Sequence, residues 1–142
     1  WPFVDAAMRE LATTGYITDV ARQNAACFLA RDLEIDWRMG ARYFERQLVD
    51  HEPCSNMGNW QRTAGVSPHA LAHRFSIRRQ AMRHDKDGRY TRQWLPELKR
   101  LPTATIHEMN GRDCHRETGM FGVSLGDTYP RPINRKTWKK RG

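Results

Sequence analysis

No apolar run in this chain approaches the ~20 consecutive residues that a membrane-spanning helix needs. The start, WPFVDAAM, lacks the basic stretch followed by an apolar stretch that marks a secretory leader. Cysteine is scarce and odd in number: Cys27, Cys54 and Cys114 stand far apart. That count and spacing argue against a disulfide framework, and a reducing compartment fits it best. Cys114 adjoins His115, but no second pair lies at finger spacing, so no metal site is expected. Alternation long enough to build a sheet is missing, as is any internal repeat.

What is present suits one compact helical core. The chain has 142 residues, 39% of them hydrophobic, which is adequate for a single domain. Its 24 Lys and Arg against 16 Asp and Glu give a net charge of +8. Such an excess favours an anionic partner, whether DNA, RNA or an acidic protein face.

In chain order, Pro2 suits a first helical position, and Val4, Ala7, Met8 and Leu11 form one stripe before Thr13, Thr14 and Gly15 end the helix. Thr18 or Asp19 caps a second helix with Val20, Asn24, Cys27 and Phe28 at helical spacing. Asp36 caps a third, running to Asp50, in which Gly40, Tyr43, Phe44, Gln47 and Leu48 share a face and Pro53 stops the pattern. Ser55 or Asn56 starts a fourth that carries Trp60 and ends at Gly65. Shorter helices are expected over 77–82 and 89–94, with a turn at 85–88 between them. Rich in Gly, Pro and charge, the chain after His107 reads as irregular surface.

Arg22 on the second helix and Asp50 at the end of the third can meet, and that meeting point is the candidate site. Within 22–61 it is accompanied by Glu52, Asn56 and the tryptophans Trp37 and Trp60. Read from spacing alone, these are also satisfied as helix-end charges, a cap and two core residues.

The runs FVDAAMREL, FLARDLEIDWRMG, YFERQLVD and CSNMGNWQ resemble the flavin-binding helical domain of photolyases and cryptochromes. CSNMGNWQ together with FGVSLGDTYPRPI is similar to the DASH cryptochrome branch. The likeness runs from Pro2 to about Ile133. It implies an all-α fold, the carboxyl-terminal part of the FAD-binding helical domain with an irregular basic tail, divided as 1–107 and 108–142.

The resemblance also implies FAD as cofactor, with Arg22 pairing Asp50 beside the flavin ring, Glu52 at its pyrimidine edge and Asn56 near N5. Trp60 and Trp37 match two members of the tryptophan chain that relays an electron to the excited flavin. Three residues depart from the pattern: Glu52 stands for the usual Asp, Asp19 for Asn, and Arg62 for an aromatic that lines the lesion face. The family's diphosphate loop, its upstream Glu and Trp of the substrate pocket and its antenna domain have no counterpart in 1–142. The expectation is therefore that this chain alone does not retain FAD, the cost being diphosphate charges without donors or cations.

Basic residues crowd two regions. Arg74, Arg78, Arg79 and Arg83 recur at roughly helical intervals, and Arg131, Arg135, Lys136, Lys139, Lys140 and Arg141 surround Trp138. Charge neutralises a phosphate backbone and the indole can stack, so Arg135, Lys136, Trp138, Lys139, Lys140 and Arg141 are the candidate contacts to single-stranded DNA or RNA, an acidic protein surface being the rival.

Two functions are in view. One is a shortened DASH-like scaffold without flavin, a structural or nucleic-acid-facing subunit of a larger assembly. The alternative is part of a blue-light FAD flavoprotein that repairs pyrimidine dimers in single-stranded DNA. An organelle, mitochondrion or chloroplast, or the nucleus would supply the reducing setting.

Overall fold

The computed structural model describes residues 1–69, 76–109 and 114–133. Arg74 and the basic end from Arg135 to Arg141, with Trp138, lie outside the described residues. The described residues fall into two compact units, 7–69 in one and 1–6 with 76–133 in the other. Helix α1, Pro2–Thr14, gives its first residues to the latter unit and the rest to the former.

In the unit of residues 7–69, α2 spans Asp19–Cys27 and runs into a single π-helical turn at Phe28–Asp32. Thr18, not Asp19, is the cap of α2, its hydroxyl accepting from the Ala21 N–H. Helix α3 spans Trp37–Gln47 and starts as expected at Asp36, whose carboxylate accepts from the Arg38 N–H at 2.9 Å. Its buried face is Trp37, Gly40, Ala41 and Phe44, continued by Leu48. Tyr43, expected on that face, is exposed at its edge.

Helix α4, Pro53–Ala64, begins earlier than the Ser55 or Asn56 start. Glu52 is its cap, accepting from Cys54 N at 3.1 Å and Ser55 N at 2.6 Å. Pro53 occupies the first helical position, where its missing N–H costs nothing. It opens α4 and does not close α3, which ends when Leu48 turns extended. At the far end Gly65 adopts φ 85°, and Val66 N reaches back to Gln61 O at 3.1 Å, a Schellman-type stop. Helix α4 packs on both α2 and α3.

The other unit holds α5 (Ile77–His84), α6 (Arg89–Trp94), a 3₁₀ turn at Pro96–Leu98, α7 (Thr103–Glu108) and α8 (Cys114–Met120). The turn at 85–88 is present, and Asp85 is buried there. Its carboxylate accepts from the N–H groups of Tyr90 and Thr91 and from the Thr91 hydroxyl at 2.6 Å, so it supplies the start of α6. Leu95, Leu98, Leu101, Ile106 and Met109 form the core with Val123, Leu125 and Tyr129. Residues after His107 are thus less irregular than their composition suggests: α8 is helical, and three apolar side chains beyond it are inside. A lone bridge between Leu125 and Tyr129 is the one β-type pairing among the described residues. No described helix is long and apolar enough to cross a membrane.

Candidate functional site

Helices α2, α3 and α4 and the link 48–52 enclose a cavity of about 410 Å³. Its size suits a small-molecule ring system. Arg22, Asp50, Glu52, Asn56 and Trp60 all line it, so five of the six predicted cofactor and relay residues converge. Trp37 is buried on α3 but is not part of the wall. Arg62 is exposed and also lies outside it.

Arg22 Nη2 donates to both Asp50 oxygens, at 3.0 and 2.8 Å, and Nε donates to Ile17 O at 2.9 Å. The Tyr16 ring lies 5.3 Å from the guanidinium carbon, a cation–π contact. The guanidinium is therefore held on three sides. Asp50 is positioned by the chain before it: Val49 N donates to Gly15 O at 2.9 Å, which ties the segment to the end of α1. Gly15 has φ 73°, and a Cβ there would stand 2.7 Å from Val49 Cγ1, so only glycine fits this seam.

Part of the lining is aromatic. Trp60 is buried and meets Phe44 edge-on, centroids 5.1 Å apart with an 81° angle between planes. Asn56 Nδ2 donates to Ala41 O at 2.9 Å, which fixes the amide against α3 and leaves its carbonyl oxygen without a partner among the described residues. On the rim, the Ser55 and Cys54 N–H bonds hold the Glu52 carboxyl below its usual range, the Ser55 bond most strongly. Glu52 is thus a helix cap facing a cavity, and a carboxylate has lone pairs enough for both tasks.

Asp19, noted in the sequence as a departure from the family pattern, lines the cavity as well, and so do His51 and Asn59, which were not singled out. For Asn59 a signal existed, since it lies one helical turn after Asn56 and so on the same face. Chemically the cavity offers two aromatic rings set edge to face, a fixed carboxylate–guanidinium pair, an oriented amide and a second carboxylate. Those groups suit an aromatic heterocycle with alternating donor and acceptor positions along one edge.

Residues 1–141 match the family described as the FAD binding domain of DNA photolyase. A DASH cryptochrome of Gloeobacter violaceus is 48% identical over 134 residues, covering 94% of this chain and 27% of that protein. A chloroplastic/mitochondrial DASH cryptochrome of Solanum lycopersicum is 49% identical over 108 residues, covering 75% of this chain and 19% of its own length. The crystal structure of a cryptochrome from Synechocystis sp. PCC6803 superposes with a TM-score of 0.86 at 43% identity, over 99% of this chain and 30% of that one. The chain thus spans less than a third of the length of these relatives. With its helical architecture and with the match over residues 1–141, the chain belongs to the photolyase/cryptochrome family, in the FAD-binding helical domain.

Proposed function

We propose that this chain forms the ring-binding part of a DASH-type flavoprotein. The observation that carries the reading is the Arg22–Asp50 pair, joined from Nη2 to both carboxylate oxygens, in the lining of a cavity of about 410 Å³ that also holds Trp60 and Asn56. The donor set fits a flavin ring. Asp50 and Glu52 are acceptors for the one N–H of its imide edge, Asn56 offers an amide to the redox-active nitrogen, and Trp60 and Phe44 exclude water from the ring face. Bound there, a flavin would supply blue-light absorption and one-electron chemistry. Trp60 lines the cavity and Trp37 is buried on α3, the helix that gives Phe44 to the same lining, and both indoles are oxidisable.

The flavin-less subunit finds no support in the relatives, while the flavoprotein alternative agrees with their names. Light-driven repair of pyrimidine dimers in DNA is carried to this chain as part of the proposal, with nucleic acid as partner. The net charge of +8 supports that partner. An organelle remains the proposed compartment, in keeping with the chloroplastic/mitochondrial tomato relative.

Equilibrium titration of the 142-residue chain with FAD tests the reading. Flavin emission should fall on binding and recover in a Trp60→Phe variant, because the indole quenches by electron donation. Affinity should be weak enough that gel filtration strips the flavin. Emission unchanged at saturating protein would reject the cavity as a flavin site.

A further inference from the structure

The charges around the cavity do not balance. Three carboxylates line it, those of Asp19, Asp50 and Glu52, against the single guanidinium of Arg22. Arg22 is committed to Asp50 through both carboxylate oxygens. Glu52 is occupied by backbone N–H groups, which favour its ionised form but carry no full positive charge. Asp19, in the first turn of α2, has no ion pair and no side-chain hydrogen bond among the described residues. Two negative charges thus face the cavity with no cation paired to them among the described residues, in a chain whose net charge is +8.

Building on the flavin reading above, we propose that Asp19 is a specificity-determining residue that makes this cavity select the uncharged ring of a flavin and reject its phosphate-bearing part. An anionic group brought to the rim meets Asp19 and Glu52, with no unpaired cation lining the cavity among the described residues. A neutral isoalloxazine meets the same rim as a set of hydrogen-bond acceptors. Asp19 therefore orients a flavin nucleotide, ring inward and phosphates outward. The repulsion is modest because Asp19 is exposed, where water weakens the interaction of two charges and salt screens it. Replacement by Asn keeps the shape and removes only the charge.

The test compares two probes that share one ring, lumiflavin, which is neutral, and FMN, which carries a phosphate. Each is titrated into the 142-residue chain and its Asp19→Asn variant by flavin fluorescence, with circular dichroism to confirm equal folding. Wild type should prefer lumiflavin. Asp19→Asn should narrow the lumiflavin-to-FMN affinity ratio by about three- to tenfold at low ionic strength and by far less near ~1 M salt. Asp19→Lys should reverse the preference. If lumiflavin binds wild type but the ratio is the same in Asp19→Asn and Asp19→Lys, the selectivity role is wrong while the flavin site stands. If lumiflavin does not bind wild type, the flavin reading fails and this inference with it.

Discussion

The six-membered edge of the Trp60 indole occupies the space where a side chain at Gly40 would begin: a Cβ there would stand 2.1 Å from Cη2 and 2.5 Å from Cζ3. Glycine in the first half of α3 is thus the condition for seating the aromatic wall of the cavity. Phe44, one turn further along α3, completes the seat by meeting the same indole edge-on.

Gly40→Ala should therefore destabilise, although alanine is the better helix former by about 1 kcal/mol. Trp60 is buried and has little room to withdraw, so overpacking costs about 1–3 kcal/mol and outweighs that gain. Chemical unfolding followed by far-UV circular dichroism measures it in either background. In a Trp60→Leu background the penalty should largely disappear, and a Gly40→Ala protein as stable as wild type would contradict the close approach.

The Arg22–Asp50 pair should be worth more than an ordinary surface charge but less than a buried one. The side chains are 22% and 45% exposed, so solvent screens the attraction and a value of about 1 kcal/mol is expected. Asp50→Ala should lower the unfolding midpoint further than Glu45→Ala, since Glu45 is exposed on α3 and has no partner among the described residues. Equal midpoints would reject a stabilising pair.

Much of this arrangement was legible in the sequence, and the remainder was non-local. Helical periodicity located α1, α5 and α6, and the Asp36 cap fixed the start of α3. It put Tyr43 on the wrong side because the buried arc runs from Gly40 through Phe44 and Trp37 to Ala41, and Tyr43 lies about 60° beyond its Gly40 edge. The α4 start was misjudged for a chemical reason. Ser and Asn are the stronger cap types, but Pro53 favours the residue before it as cap, and Glu52 is long enough to fold back. The Arg22–Asp50 meeting was foreseeable from helix ends; the seam that aims Asp50, between Gly15 and Val49, joins segments distant in sequence and leaves no periodic trace. Gly40 has the same character, its meaning supplied by Trp60 on another helix.

Glu52 gives α4 a pH-dependent anchor. Its folded-state pKa is lowered from 4.5, because two backbone N–H groups bond the ionised carboxyl. A depressed carboxyl pKa contributes stability that is fully present above the unfolded value and is lost as pH falls through the folded one. The stability difference between wild type and Glu52→Gln should thus be constant above about pH 5.5 and shrink steadily below 4.5. Unfolding midpoints collected from pH 7 to 3 provide the check. A gap between the two proteins that does not vary with pH would assign the cap to geometry alone.

The basic end supplies the last prediction. Arg135, Lys136, Lys139, Lys140 and Arg141 include no acidic neighbour within 135–141, and such a run repels itself unless an anion lies against it. If that anion is nucleic acid, each neutralised phosphate releases counterion, and removing 135–141 should flatten the log-log salt dependence of binding by about 0.7 to 0.9 per lost contact. Affinity should fall alike for every sequence, because phosphate contacts position a chain without reading bases. Trp138→Ala should weaken single-stranded binding by roughly 1–3 kcal/mol through lost stacking, with little change in salt slope. An acidic protein partner would also respond to salt, so the decisive measurement is binding of single-stranded DNA and RNA to the isolated chain. Truncation after Ile133 that leaves affinity and slope unchanged would remove this end from the nucleic-acid interface.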